Sequence, residues 1–313
     1  MAKQAQPPHK RPPYRGRFAP SPTGLLHFGS LVTAVGSYLD ARHHHGEWLV
    51  RIEDLDRPRT VPGSADSILQ TLDTLGFEFD RAVLRQSSRD DAYADALDQL
   101  RANGDVFDCS CSRAELALSR PGQSGTTDEL FYPGWCRNGI RDSNKPCAVR
   151  FRVRPGRIDF NDRIQGPQSF DLATDCGDFV VRRKDGLYAY QLAVVVDDAY
   201  QSITHVVRGA DLLSSTPRQI ALQRALCLPT PKYAHLPVAT DGNGIKLSKS
   251  QGSAAVDPKR AVDELHRALR FLAQEPPEDL LRGQVSTLWE WAFEHWCIQS
   301  LQGRLAACVD ASG

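Results

Sequence analysis

Apolar and polar positions alternate along this chain in two periods. The stretch from Arg17 begins as a strand and breaks at Pro20, Pro22 and Gly24, and Leu31, Val32, Val35, Tyr38 and Leu39 then recur at helical spacing. Glu47 to Glu53 is a compact β-prone run predicted to be a buried parallel strand. Strand, helix and strand make a βαβ unit, whose ligands sit at the carboxyl ends of its strands, so Glu53 is expected near a site. Ser64 is expected to cap a helix carrying Ile68, Leu69, Leu72 and Leu75, and a further helix carries Tyr93, Leu97 and Leu100 before Gly104 closes it. From Ala148 to Tyr190 the pattern shortens to strands at Val149–Val153, Ile158–Phe160 and Phe179–Arg182, with a hairpin turn at Lys184-Asp185-Gly186. Helical spacing returns at Tyr190–Asp198, followed by a strand at Ile203–Arg208 and a helix opened by Ser214 and Pro217. Beyond Ser250 the pattern predicts a helix through Val262, Leu265, Leu269 and Leu272, a break at Pro276-Pro277, and a Trp-rich helix from about Gln284 to Leu301.

Composition narrows the class without choosing a function. At 313 residues and 41% hydrophobic content, the chain can bury one large core or two smaller ones. Its formal charge is zero, so any nucleic-acid contact must rest on local basic patches and shape rather than on a global field. There is neither an apolar run of about 18 residues nor a charged-then-apolar N-terminus, which argues against a membrane span or secretory signal and makes the cytoplasm the expected location. In a large chain of that kind, eight cysteines are expected to be reduced thiols or metal ligands rather than disulfides.

Three stretches carry candidate chemistry. The turn from Arg17 to Gly24 enters a helix at His27 and Ser30, where free N–H groups favour an anion such as a nucleotide phosphate; plain loop chemistry is the alternative. Asp241 to Ser250 is a glycine turn followed by Lys246 and Lys249 with hydroxyls between them, suited to a developing pyrophosphate charge or simply a solvated basic turn. Cys109 and Cys111 precede a capping-box pattern, Ser112 to Glu115, and Tyr132 and Cys136 follow in a turn. Three soft ligands and one oxygen could close a tetrahedral zinc site of structural type; unconnected thiols are the alternative. Cys147, Cys176, Cys227, Cys297 and Cys308 lack comparable spacing. Arg150, Arg152, Arg154 and Arg157 are either phosphate contacts or the charged solvent face of a strand.

Taken together, His27-Phe28-Gly29-Ser30 and Lys246-Leu247-Ser248-Lys249-Ser250 resemble the two signatures of class I aminoacyl-tRNA synthetases. With Arg17 to Gly24 and Arg51 to Asp56, the likeness narrows to the glutamyl-tRNA synthetase group and covers roughly residues 15–260. The thiol set is similar to that of the glutamyl-queuosine branch. The implied fold is α/β, a doubly wound (Rossmann-type) class I synthetase catalytic domain with a small inserted α+β subdomain and a short helical C-terminal part. The expected boundaries are a disordered basic tail at 1–14, the first catalytic half at 15–106, a zinc-binding and acceptor-contacting insert at 107–188, the second half at 189–257, and a helical segment at 258–313.

The resemblance implies catalytic roles for His27 and Lys249. It places ATP on His27, Gly29, Ser30, Lys246, Ser248 and Lys249, and glutamate on Arg17, Ala19, Ser21, Glu53, Tyr190 and Arg208. Zn²⁺ falls to Cys109, Cys111, Tyr132 and Cys136, and Mg²⁺ accompanies ATP. The implied partners are ATP, L-glutamate and the anticodon stem-loop of tRNA(Asp), with no membrane and a monomeric state. The stretch after Ser250 is too short for the anticodon-binding domain of a full-length glutamyl-tRNA synthetase, which favours transfer to queuosine. A shortened glutamyl-tRNA synthetase and a non-catalytic RNA-binding paralogue are the other readings.

Overall fold

The computed structural model describes residues 13–119, 131–240 and 255–308. β1 (Arg15–Phe18), α1 (Phe28–His43), β2 (Glu47–Ile52), α2 (Ser64–Thr74) and β3 (Leu84–Arg85) form the first unit. Its three strands pair in parallel, with Arg15 opposite Glu47 and Arg51 opposite Leu84. α3 (Asp90–Ala102) then leads into an insert built from β4 (Val106–Cys109), α4 (Arg113–Ser119), β5 (Ala148–Phe151), β6 (Arg157–Asp162), β7 (Gly166–Asp171), α5 (Leu172–Asp175) and β8 (Phe179–Arg182). β4, β5 and β8 make an antiparallel sheet, and β6 and β7 a hairpin. The second unit is α6 (Tyr190–Tyr200), β9 (His205–Gly209), α7 (Thr216–Ala225) and β10 (Lys232–Leu236), with β9 and β10 parallel. The chain continues through β11 (Val238–Thr240), α8 (Ala261–Phe271), α9 (Val285–His295) and β12 (Ala306–Cys308), the last strand pairing in parallel with β11.

The two units meet where β9 enters beside β1: Arg15 N–H donates to Thr204 Oγ1 at 2.8 Å and Thr204 N–H to the Arg15 carbonyl at 3.0 Å. The strand order reverses at this seam, and a doubly wound sheet opens its ligand crevice there. α1 is buried nearly all round because the sheet covers one side and the C-terminal helices the other. A Cβ on its Gly36 would lie 2.7 Å from Leu236 Cδ1, so a larger residue there would force the Leu236 side chain of β10 to shift. On the far side the Tyr38 ring meets Trp289 edge-on at 5.0 Å, and Trp289 Nε1 donates to the Leu75 carbonyl at 2.9 Å.

Several sequence-based expectations shift. Ser64 is the first residue of α2 rather than its cap, which is Gly63 at φ 75°. The Ser64 hydroxyl instead accepts from Gly24 N–H at 3.0 Å and donates to the Gly24 carbonyl, tying the proline turn to α2. The Trp-rich helix ends at His295, where buried Trp296 turns extended and Cys297 N–H donates to Gln274 Oε1 at 2.8 Å. β7, β10, β11 and β12 were not legible in the periodicity. The β6–β7 hairpin docks on the body: Arg163 N–H donates to the Tyr233 carbonyl and Gly303 N–H to the Ile164 carbonyl, both at 2.9 Å, while Arg163 pairs with buried Asp40 of α1.

Candidate active site

The proline turn is stitched to the end of β2. Glu53 N–H donates to the Pro20 carbonyl at 3.0 Å and Val61 N–H to the Pro22 carbonyl at 2.9 Å, so the backbone that ends β1 holds Glu53 in place. His27 caps α1 with extended backbone; its Nδ1 accepts from Ser30 N–H at 3.3 Å and its Nε2 lies 2.9 Å from Ser30 Oγ. A Cβ on Gly29 would be in ordinary contact, at 3.4 Å, with the His27 ring. Lys246, Ser248 and Lys249 lie outside the described residues. The first described residue beyond them, Ala255, pairs with His27, and Val256 N–H donates to the Leu26 carbonyl at 2.9 Å.

Behind this turn lies a buried charge cluster. Arg17, near the carboxyl end of β1, grips Asp198 with two nitrogens, Nε to Oδ1 at 3.2 Å and Nη2 to Oδ2 at 3.3 Å. Arg51 Nη1 donates to the same Asp198 Oδ1 and to Gln201 Oε1, each at 2.8 Å, and its Nη2 reaches Glu53 Oε1 at 3.2 Å. Burial works against the Asp198 carboxylate, but Arg17 and Arg51 outweigh it and hold its pKa below the ordinary value. Glu53 ends on the other side: burial pushes its carboxyl up, and the pull of Arg51 and Arg17 does not cancel that shift. Arg208, near the end of β9, donates to Tyr190 Oη at 3.3 Å, Thr216 Oγ1 at 2.8 Å and His235 Nε2 at 3.1 Å. The Tyr190 phenol is raised by burial and feels Arg208, Glu53 and Arg17 as charged neighbours, which places all four in one cluster.

The thiols form a second cluster in the insert. Cys109, Cys111 and Cys136 are buried, with their sulfurs all within 4.8 Å of one another. Tyr132 Oη lies 3.4 Å from Cys109 Sγ and accepts Cys136 N–H at 2.7 Å, so all four donor side chains converge. The capping box is present: Ser112 N–H donates to Glu115 Oε2 at 2.6 Å and Glu115 N–H to Ser112 Oγ at 3.2 Å. Burial and its neighbouring thiols push Cys111 up to about 12. Burial also works against the Cys136 thiolate, but Arg141 N–H, the Tyr132 hydroxyl and Ser110 outweigh it and bring Cys136 down to about 6. Three sulfurs and a phenol oxygen turned toward each other are a donor set that a soft divalent cation fits.

Over residues 14–273 the chain matches the family described as tRNA synthetases class I (E and Q), catalytic domain. It belongs to that family. The chain is 58% identical over 289 residues to a glutamyl-Q tRNA(Asp) synthetase of Dechloromonas aromatica, covering 92% of this chain and 96% of the relative. It is 50% identical over 283 residues to the protein of that name in Pseudomonas aeruginosa, covering 90% and 93%. Among solved structures, the glutamate-tRNA synthetase of Elizabethkingia anophelis superimposes with a TM-score of 0.78 at 27% identity, over 95% of this chain and 68% of that one. A glutamate tRNA ligase of Elizabethkingia meningosepticum, solved with its amino acid, gives 0.77 at 27% identity, over 96% and 68%. The fold is therefore the doubly wound catalytic domain of class I synthetases, and the chain is an ATP-dependent ligase of that type.

As in the sequence-based expectation, Arg17, Glu53, Tyr190 and Arg208 converge in this synthetase domain. Ala19 and Ser21 lie in the turn above them, Ala19 half-buried and Ser21 exposed. Sequence reasoning missed Arg51, Asp198, Asp162 and His235. One signal was available: Asp197 and Asp198 stand in the last turn of an otherwise apolar helix, where the macrodipole disfavours acids unless a partner compensates. Of the four arginines from 150 to 157, Arg150 in β5 needs correction. Arg150 is buried, donates to the Asp178 carbonyl at 2.8 Å and lies 4.1 Å over the Tyr132 ring, so it supports the thiol cluster and does not meet a phosphate. Arg152 donates to the Arg137 carbonyl at 2.8 Å, Arg154 pairs with Asp105 and Arg157 bonds Ser169. Among the described residues, no helix is long and apolar enough to cross a membrane.

Proposed function

We propose that this chain activates L-glutamate with ATP and transfers the glutamyl group to queuosine at the wobble position of tRNA(Asp). The observation that carries the acceptor is similarity along nearly the whole chain to relatives named glutamyl-Q tRNA(Asp) synthetase. The pocket agrees with the amino acid. Glutamate has one positive and two negative groups, and the crevice offers one buried carboxylate, Glu53, beside Arg17 and Arg208. In this reading Glu53 meets the ammonium, Arg17 and Arg208 the carboxylates, and Tyr190 supports Arg208.

The glutamate carboxylate attacks the α-phosphate of Mg²⁺-bound ATP, the P–O bond to pyrophosphate breaks, and glutamyl-adenylate forms. Positioning and charge stabilisation supply most of the acceleration. His27, Gly29 and Ser30 at the α1 N-terminus hold phosphates, and Lys246, Ser248 and Lys249 supply further ATP contacts. A hydroxyl of the acceptor then displaces AMP. Queuosine carries a cyclopentene diol resembling the cis-diol of a terminal ribose, so one geometry serves either acceptor. Cys109, Cys111, Tyr132 and Cys136 would hold Zn²⁺, which when bound stiffens the insert. The protein acts as a cytoplasmic monomer.

The likeness to glutamate-tRNA synthetases favours one second reading, charging of the terminal adenosine of tRNA(Glu). The test uses an isolated anticodon stem-loop of tRNA(Asp). The queuosine form should accept labelled glutamate and the guanosine form should not, and charging of whole tRNA(Asp) should survive removal of its terminal adenosine. If removing that adenosine abolishes charging, the second reading holds.

A further inference from the structure

We propose that Asp162 and His235 are a positioning pair that orients Arg208 for glutamate by fixing the tautomer of His235. The inference rests on the assignment of Arg208 to glutamate made above. His235 in β10 stands in register beside Arg208 in β9, and His235 and Asp162 are both fully buried. Asp162 ends β6, so the pair joins the hairpin of the insert to the floor of the pocket.

Each side of the imidazole dictates the same proton position. Asp162 Oδ1 accepts from Ile164 N–H at 3.0 Å, Gln165 N–H at 2.8 Å and His235 N–H at 3.1 Å, while Oδ2 lies 2.6 Å from His235 Nδ1. Burial opposes that carboxylate, yet these donors hold its pKa below the ordinary value, so it is an acceptor only and Nδ1 must carry hydrogen. On the other side Arg208 Nε, which cannot lose its proton, donates to His235 Nε2 at 3.1 Å, so Nε2 must present a lone pair. Burial and the facing Arg208 lower the His235 pKa, in keeping with a neutral ring. Thr216 Oγ1 lies 3.2 Å from the same Nε2 and accepts Arg208 Nη2 at 2.8 Å. One edge of the guanidinium is thus fastened to His235 and Thr216, which turns Nη1 toward Tyr190.

Asp162→Asn tests the tautomer with little change of shape. Asn Oδ1 can keep its three backbone donors, while Nδ2 replaces Oδ2 and donates to Nδ1. The ring hydrogen then moves to Nε2, against Arg208 Nε–H, the logic by which the corresponding substitution disables a catalytic triad. In ATP–pyrophosphate exchange we expect KM for glutamate to rise roughly tenfold or more, with KM for ATP unchanged. Nitrogen-edited NMR should show the His235 proton moved.

His235→Gln puts an amide acceptor where Nε2 stood, whereas His235→Asn keeps only the bond to Asp162. The Gln variant should therefore lie closer to wild type, and that order decides the question if Asp162→Asn does not fold. Wild-type glutamate KM in Asp162→Asn, equal rises in both KM values, or equal effects of the two His235 variants would overturn the pair. Arg208→Lys separates the premises. If it raises glutamate KM while the Asp162 and His235 variants do not, the pair is wrong and the pocket stands. If it leaves glutamate KM unchanged, both fall.

Discussion

The glutamate pocket and the thiol cluster both bury strongly polar side chains, and they resolve the cost differently. In the pocket each carboxylate has a guanidinium: two close on Asp198, and Arg51 spans from Asp198 to Glu53, while Arg208 is held by the neutral Tyr190, Thr216 and His235. The carboxylates of this network are thus neutralised within the protein, although Arg51 Nε is buried without a hydrogen-bond partner. In the insert three thiols crowd together, with Cys111 Sγ 3.6 Å from Cys136 Sγ, so like groups gather where a cation would give them a common partner. A buried ensemble satisfied from within tolerates an empty state, whereas one made only of ligands depends on what it binds.

The largest effect should come from Asp198→Ala, which strands Arg17 and Arg51 without their shared anion. Breaking one side of a buried charge cluster costs about 3–5 kcal/mol of stability, measurable by urea unfolding. A loss below about 1 kcal/mol would mean that water replaces Asp198 and that the network is not self-contained.

Next in size is Glu53→Gln, which should weaken calorimetric glutamate binding by roughly 2–5 kcal/mol with little loss of fold. The same residue predicts a pH effect. Because burial raises the Glu53 pKa, protonation begins above the ordinary carboxylate range as pH falls. The protonated form cannot hold an ammonium, so glutamate affinity should decline with acidification earlier than ordinary carboxylates titrate, and Glu53→Gln should abolish that decline. The charged groups facing it are Arg51, Arg17 and Asp198.

Metal removal should act locally. Purified protein prepared without chelators should contain zinc, Cys109→Ser should lose it, and proteolysis of the insert should then accelerate. Glutamate binding should change by less than about 0.5 kcal/mol, since well-separated sites are close to additive. Zinc-free wild type would refute the metal, and a large change in glutamate binding would refute the independence of the two regions.

The smallest effect concerns the cap beside the thiols. Ser112→Ala should cost about 1 kcal/mol, seen as faster amide exchange in α4. Hydrogen bonds from Ser112 bring Glu115 down to about 2 from the ordinary 4.5. Its contribution is therefore complete above about 4.5 and is lost as pH falls toward 2. Glu115→Gln should remove that dependence, and an unchanged acid profile would count against the box.

Much of the fold was legible because the information is local. The period of two in Phe179–Arg182, the 3.6 period of α1 and α8, and the capping box at Ser112 each depend on residues a few positions apart. β10 escaped because Lys232-Tyr-Ala-His-Leu236 is covered along most of its length and so shows no alternation. Arg150 of β5 misled for a related reason: an Arg on a strand reads as solvent-facing until the packing of its plane on Tyr132 is known.

Residue chemistry and spacing along the chain were enough for the α/β order, for Glu53 near a site and for the thiols as one candidate set, while the resemblance to class I synthetases supplied the insert between two halves and Arg17, Tyr190 and Arg208 as candidates. They did not disclose which charges neutralise which. Arg17 and Asp198 are 181 positions apart, and Asp162 and His235 are 73 apart. Such pairings have no local signature, because a buried ion's stability depends on the dielectric and the partner that packing brings to it. The register of β9 beside β10 and the docking of the β6–β7 hairpin supply both, and so the orientation of the pocket's guanidiniums appears only in three dimensions.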